Sequence, residues 1–124
     1  MKRPPSPKIE PHALSRVELG LVAKALSDPI RLEMVAIMAQ VRGSCCLPDP
    51  ASRGVPGPTE PRGICVCELQ DRLGLSQSKV SYHLRVLREA GLIDLETRGK
   101  WAFYSLREER LRGLVDAVGR WLEP

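Results

Sequence analysis

The sequence predicts one small, mainly helical α+β domain, and three observations lead to this class. The chain has 124 residues, which is enough for a single hydrophobic core and too few for a second. Five stretches carry apolar residues at the spacing of an amphipathic helix. Two short stretches near the carboxyl end alternate apolar and polar residues, as the strands of a hairpin do.

Two helices are predicted at the start of the domain, which we expect to cover residues 13–124 after a flexible, proline-rich arm at residues 1–12. Ser15 and Glu18 form a capping-box pattern for the first helix, and Pro29 suits the first turn of the second. One face of the first helix is expected to carry Val17, Leu21, Val22, Ala25 and Leu26. The second, from Ile30 to about Val41, is expected to bury Ile30, Met34, Ile37, Met38 and Val41.

Residues 43–63 interrupt this helical pattern with an insert rich in proline and glycine. Neither a helix nor a strand can run through so many of these residues. Structureless loops longer than about 12–15 residues are uncommon in compact domains, and they tend to be functional or disordered. Cys45 and Cys46 lie near the beginning of the insert, and Cys65 and Cys67 follow its end.

After the insert, the pattern changes to helix, tight turn, helix. Gly74 fits the left-handed cap at the end of the first of these helices, and Ser76 can cap the second. The apolar positions are Leu69 and Leu73 in the first helix and Val80, Leu84 and Leu87 in the second. This arrangement is typical of a helix-turn-helix.

A hairpin and a last helix complete the domain. Residues 92–96 and 101–106 read as two strands, and Thr97-Arg98-Gly99-Lys100 between them reads as a basic tip. The last helix, from Glu108 to Leu122, carries Leu111, Leu114, Val115, Val118 and Leu122. The order of the elements predicts a winged helix-turn-helix with a two-stranded wing.

DNA binding follows from this architecture, because the second helix of the motif enters the major groove. With Val80, Leu84 and Leu87 facing inward, the residues expected to face DNA are Gln77, Ser78, Lys79, Ser81, Tyr82 and Arg85. Arg98 and Lys100 at the tip are expected to meet phosphate or the minor groove. A formal net charge of +4 also favours a polyanionic partner. A winged helix that binds only protein stays open as an alternative.

Other classes of protein fit the sequence less well. We expect no membrane span, since no window approaches the roughly 20 apolar residues required, and the start of the chain lacks a secretory signal. We therefore expect a cytoplasmic protein, where cysteines act as ligands or sensors rather than as disulfides. His83 flanks the apolar face and His12 lies in the arm, so no nucleophile–base pair indicates an enzyme.

Four stretches of the chain resemble the ArsR/SmtB family of metalloregulatory repressors. They read Ala25-Leu26-Ser27-Asp28-Pro29-Ile30-Arg31-Leu32, Cys65-Val66-Cys67-Glu68-Leu69, Leu75-Ser76-Gln77-Ser78-Lys79-Val80-Ser81-Tyr82-His83-Leu84 with Leu87-Arg88-Glu89-Ala90-Gly91-Leu92-Ile93, and Arg98-Gly99-Lys100-Trp101-Ala102-Phe103-Tyr104. The resemblance implies a homodimer paired through the first and last helices. It also implies binding to an inverted-repeat operator and release from DNA when an inducing ion binds.

The cysteines point to the inducer. Cys65-Val66-Cys67 resembles the arsenic-sensing signature of the family, in which a further cysteine usually stands where this chain has Gln70. Trivalent arsenic or antimony is commonly held by three thiolates, so we expect Cys45, Cys46 or both to complete the site. The family's alternative zinc site on the last helix is set aside, because residues 110–123 contain no histidine.

Two other interpretations of the cysteines stay open. Four thiolates suit a soft divalent ion such as cadmium, lead or zinc, and cysteine pairs also act as redox switches. The spacing suggests a switch mechanism, since residues two apart on a regular helix point about 200° away from each other. Cys65 and Cys67 can therefore share an ion only if the helix start unwinds or if one of them lies just outside the helix.

Overall fold

The computed structural model describes residues 13–40 and 63–124. Its elements are α1 (Arg16–Ala25), α2 (Pro29–Gln40), α3 (Val66–Leu73), α4 (Gln77–Glu89), β1 (Ile93–Arg98), β2 (Trp101–Leu106) and α5 (Glu108–Trp121). The predicted arm and all of the predicted insert except Gly63 lie outside the described residues. The predicted class is confirmed: α3 and α4 form the helix-turn-helix, and the antiparallel strands β1 and β2 form the wing.

The first two helices begin where the sequence predicts, with caps formed by local hydrogen bonds. At α1, the Ser15 hydroxyl accepts from the Glu18 N–H at 3.2 Å, and a Glu18 carboxylate oxygen accepts from the Ser15 N–H at 2.9 Å. At α2, the Asp28 carboxylate accepts from the Ile30 N–H at 2.7 Å. Burial acts to raise the pKa of Asp28, but hydrogen bonds from the Ile30 and Arg31 backbone hold this pKa below its ordinary value of 3.8.

The main core lies where α1, α2, α3 and α4 meet the base of the hairpin. Its fully buried side chains include Val22, Met34, Ile64, Leu69, Val80, Leu84, Leu87 and Leu92. Of the residues expected on one face of α1, Val22 and Ala25 are buried in the core, whereas Val17 and Leu21 are exposed. For α2, Ile30 is only half-buried, Val35 is buried instead, and Val41 lies outside the described residues.

The last helix crosses back over the first and leaves part of its apolar surface uncovered. Arg110 Nη1 donates to a Glu18 carboxylate oxygen at 2.7 Å, which ties α5 to the start of α1. Leu111 and Leu114 pack against the main core, whereas Val115, Val118, Trp121 and Leu122 are exposed. No helix in the part of the chain that the structure describes is long and apolar enough to cross a membrane.

Candidate functional site

The turn between α3 and α4 orients the second helix of the motif. Gly74 ends α3 in a left-handed conformation with φ 67°, and its N–H donates to the Gln70 carbonyl. Ser76 then caps α4, accepting from the Lys79 N–H at 3.3 Å. Both residues have the roles that the sequence predicts for them.

The outer face of α4 is polar, basic and open to solvent. Its exposed residues include Gln77, Ser78, Lys79, Ser81, Tyr82 and Arg85, the six residues of this helix expected to face DNA. The Arg85 guanidinium lies 5.8 Å from the centroid of the Tyr82 ring, a cation–π arrangement that holds both side chains on this face. The inner face is buried through Val80, Leu84 and Leu87, as predicted.

His83, which flanks the apolar face of α4 in the sequence pattern, is buried in the structure. Its Nδ1 lies 3.1 Å from Nη1 of Arg31, and the Nε–H of Arg31 donates to the Ala25 carbonyl at 2.6 Å. Arg31 is only 8% exposed, although nothing in the sequence pattern marks it as a buried residue. A single buried arginine does not change the apolar periodicity of an amphipathic helix, so this periodicity cannot reveal it. Only its polar partner His83 on α4 could have indicated that Arg31 is buried.

The wing differs from the expectation at its tip. Arg98 is the last residue of β1 and pairs with Trp101 across the hairpin, so the turn contains only Gly99 and Lys100. Gly99 has φ 61°, a value that favours glycine. Lys100 is exposed at the tip.

Arg98, the other wing residue expected to contact DNA, is buried within the hairpin. Arg98 is 4% exposed, its Nε lies 3.2 Å from a Glu96 carboxylate oxygen, and its guanidinium lies 5.4 Å from the centroid of the Phe103 ring. An ion pair and an aromatic face therefore hold this side chain within the hairpin.

Cys65 and Cys67 come together at the start of α3. Cys65 is the N-cap residue with extended backbone, φ −86° and ψ 163°, and α3 is regular from Val66 onward. The two Sγ atoms lie 2.7 Å apart, with Cys65 buried and Cys67 exposed. Of the two arrangements allowed by the spacing, the structure has the one in which Cys65 lies just outside the helix. The pair thus meets without any unwinding of α3.

The thiol pair offers soft donors beside the helix-turn-helix. Thiolate sulfur suits soft ions such as trivalent arsenic, cadmium and lead, and the exposed Cys67 gives a ligand access to the pair. Within residues 13–40 and 63–124, no group of three or more His, Cys, Asp and Glu side chains is placed to hold a metal ion. Cys45 and Cys46, expected to complete the site, lie outside the described residues.

A helix-turn-helix followed by a wing defines the class of winged helix DNA-binding domains, and comparison with known proteins places the chain within it. Residues 62–94 match the arsR family of bacterial regulatory proteins. The chain is 37% identical to the arsenical resistance operon repressor of Bacillus subtilis over 92 residues, which are 74% of this chain and 69% of that protein. The chain belongs to the ArsR family, whose members are DNA-binding transcriptional regulators.

Two further similarities agree with this membership. Over 68 residues, the chain is 46% identical to an arsenic resistance transcriptional regulator of Pseudomonas putida, covering 49% of this chain and 53% of that protein. Its fold is similar to a homodimeric winged helix-turn-helix DNA-binding domain from Mycobacterium bovis, with a TM-score of 0.56 and 20% identity over 84% of this chain and 80% of that chain.

Proposed function

We propose that this protein is a homodimeric repressor that releases its operator when its cysteines bind trivalent arsenic or antimony. The observation that carries the proposal is the Cys65–Cys67 pair, whose sulfur atoms lie 2.7 Å apart at the first turn of the helix-turn-helix. The arsenical resistance repressors among its relatives support the choice of inducer.

In the proposed complex, α4 lies in the major groove of an inverted-repeat operator. Gln77 and Ser78, at the start of this helix, face base edges, since an amide pairs bidentately with adenine. Lys79 and Arg85 contact phosphate together with Lys100 of the wing, and contacts of this kind make affinity fall steeply with salt. Arg98 is left out of this set because its side chain is buried.

The proposed dimer pairs the outer surfaces of α1 and α5. A groove between these helices has a volume of about 590 Å³ and is lined by Arg16, Leu19, Gly20, Ala23, Leu114, Val118 and Trp121. Trp121 is 70% exposed beside this groove. Burial of such apolar surface stabilises a dimer by roughly 25 cal/mol per Å².

For the inducer site, we propose that Cys65 and Cys67 act as thiolates and that Cys45 or Cys46 supplies the third. The pair alone gives two of the three sulfur donors that trivalent arsenic commonly takes. The proposed site joins the insert to the helix-turn-helix. Binding there would change the start of α3, which packs directly against α4.

The experiment is a DNA-binding titration. The reduced protein on DNA from its own promoter is followed by fluorescence anisotropy while arsenite, antimonite, cadmium, lead, zinc or peroxide is added. We expect release by arsenite and antimonite at near-stoichiometric levels and no release by the divalent ions. Release by divalent ions or peroxide, with none by arsenite or antimonite, would support the repressor function and contradict the proposed arsenic site.

Two variants locate the site on the thiol pair. Cys65→Ser and Cys67→Ser should bind DNA as the wild type does and should no longer release it with arsenite. Serine is a favourable N-cap residue, so Cys65→Ser should not weaken the start of α3. Loss of DNA binding in either variant would contradict a purely sensory role for these residues.

A further inference from the structure

The segment before α3 is joined to the wing by a pair of backbone hydrogen bonds. The Ile64 N–H donates to the Tyr104 carbonyl at 2.8 Å, and the Tyr104 N–H donates to the Ile64 carbonyl at 2.8 Å. This isolated antiparallel bridge joins the segment before α3 to the edge of β2 that does not pair with β1. Gly63 fits here because a Cβ at this position would collide with the Tyr104 carbonyl oxygen.

The bridge places Cys65 on the opposite face of the wing from the main core. Successive residues of a strand alternate between faces, and Ile64 and Tyr104 belong to the main core. In the register of the bridge, Cys65 stands opposite Phe103. These two residues form a second, smaller buried cluster, with the half-buried Trp101 packed against it.

This second cluster reaches the basic residues near the wing tip. The Arg98 guanidinium lies 5.4 Å from the centroid of the Phe103 ring, and the Lys100 Nζ lies 5.8 Å from the centroid of the Trp101 ring. Cys65 is thus connected through two aromatic side chains to both cations. Lys100 is the wing residue that the proposed complex sets against phosphate.

We propose that Phe103 and Trp101 transmit ligand binding at the thiol site to the wing. Cys65 is 5% exposed and Phe103 is 1% exposed. A ligand atom bonded to the Cys65 sulfur must therefore take space in a packed cluster, and close-packed interiors absorb added atoms only by moving side chains. Movement of Phe103 and Trp101 changes the positions of Arg98 and Lys100, so the wing loses its contact with DNA.

This inference rests on the proposed function and adds a second route to it. One route runs from Cys65, the N-cap residue of α3, through that helix to α4. The other runs from Cys65 through Phe103 to the wing. A variant that changes Phe103 and leaves α3, α4 and both thiols intact distinguishes the two routes, because it alters only the route to the wing.

Phe103→Leu is that variant, and Leu106→Val is its matched control. Leucine keeps an apolar side chain at a buried position, which limits the loss of stability. Leu106 lies on the same strand but packs against the main core, away from Cys65. For each protein, arsenite affinity is measured by calorimetry and DNA affinity is measured by anisotropy with and without arsenite.

In the wild type and in Leu106→Val, we expect arsenite to weaken DNA binding by about 5–150-fold, the usual range for coupled sites. In Phe103→Leu, we expect this factor to fall below about 5-fold, with arsenite affinity unchanged. Equal release in all three proteins would overturn the aromatic route and leave the proposed function standing. A wild type that neither binds arsenite nor releases DNA would reject the proposed function, and this inference with it.

Trp101 supplies an independent measurement, because the chain has only two tryptophans. In a Trp121→Phe background, where phenylalanine keeps an aromatic ring beside the α1–α5 groove and sedimentation velocity first verifies that the protein is still dimeric, Trp101 is the sole tryptophan. Its emission should change with the same arsenite dependence as DNA release. Cys65→Ser in this background should remove the change. If the Trp101 emission stays constant while DNA is released, the cluster of Cys65, Phe103 and Trp101 does not respond to arsenite, and the inference is contradicted. This result does not depend on the stability of Phe103→Leu.

Discussion

Arg31 and His83 join the second helix to the helix proposed to read DNA, with Arg31 Nη1 at 3.1 Å from His83 Nδ1 in the interior of the protein. A guanidinium has only donors, so His83 Nδ1 is the acceptor in this contact. Arg31 also donates to the carbonyl of Ala25 at the end of α1. One buried side chain therefore fixes the positions of α1, α2 and α4 relative to each other.

His83→Leu should destabilise the domain. The substitution leaves a buried guanidinium donor without its acceptor, which costs about 1–3 kcal/mol. The measurement is the free energy of unfolding from urea denaturation. His83→Asn is the matched control, because its side-chain oxygen stands near the position of Nδ1 and should recover part of the loss. Equal stability of the leucine variant and the wild type would show that the hydrogen bond contributes nothing.

Lys100 and Arg98 should differ in the salt dependence of DNA binding. Lys100 is exposed at the tip and is proposed to contact phosphate, so Lys100→Ala should lower the slope of log affinity against log salt by about 1 per protomer. Arg98 is buried against Glu96 and Phe103, so Arg98→Met should leave this slope unchanged. The slopes come from anisotropy titrations at several salt concentrations. A reduced slope for Arg98→Met would mean that its side chain leaves the hairpin to meet DNA.

The Glu18 carboxylate should make stability depend on pH in the acid range. Hydrogen bonds from the Ser15 backbone and the Arg110 side chain hold its pKa below the ordinary value of 4.5. A carboxyl group with a lowered folded-state pKa contributes stability above its unfolded pKa and loses it as pH falls through the folded value. The stability of the wild type should therefore decrease below pH 4.5.

Glu18→Gln tests this contribution. The variant should be less stable than the wild type at neutral pH, and the difference should shrink as the pH falls below 4.5. The measurement is the urea midpoint of both proteins across this range. The pKa values of Asp28 and Glu109 are lowered as well, so some acid destabilisation should persist in the variant. A difference between the two proteins that is constant with pH would exclude the ion pair with Arg110 as its cause.

Much of this architecture is predictable from the sequence, because local rules decide it. Gly74, Ser76 and the capping box of Ser15 with Glu18 each act within a few residues, and the structure has all of them as predicted. The burial of Val80, Leu84 and Leu87 follows from helical periodicity in the same way. Elements of this kind depend on the identity of near neighbours alone.

The errors concern residues whose environment depends on distant parts of the chain. Arg98 looks exposed because it precedes a glycine turn, and only the pairing of β1 with β2 brings it over Phe103. Similarly, the spacing places Val17 and Leu21 on one face with Val22 and Ala25, but only the packing of the other helices decides that Val22 and Ala25 are the buried ones. The proximity of Cys65 to Cys67 depends on where α3 begins, and periodicity does not fix a helix start to one residue.

Val118→Glu should dissociate the proposed dimer, because Val118 lines the groove between α1 and α5. A carboxylate in an apolar interface pays a desolvation cost that no partner offsets. Sedimentation velocity of the variant should show a monomer, and its DNA affinity should fall. Arg112→Glu, on the side of α5 away from the groove, is the control and should remain dimeric. A dimeric Val118→Glu would place the interface on another surface.

The number of thiols needed for arsenite binding should identify the complete ligand set. If trivalent arsenic takes three thiolates, Cys45→Ser or Cys46→Ser should weaken arsenite binding by calorimetry, while the other substitution has little effect. A soft divalent ion held by four thiolates would instead require both residues. DNA affinity without inducer should be unchanged in each variant, since neither residue belongs to the helix-turn-helix. Full arsenite affinity in the double variant Cys45→Ser/Cys46→Ser would confine the site to Cys65 and Cys67, and the third donor would then come from outside the cysteines of this chain.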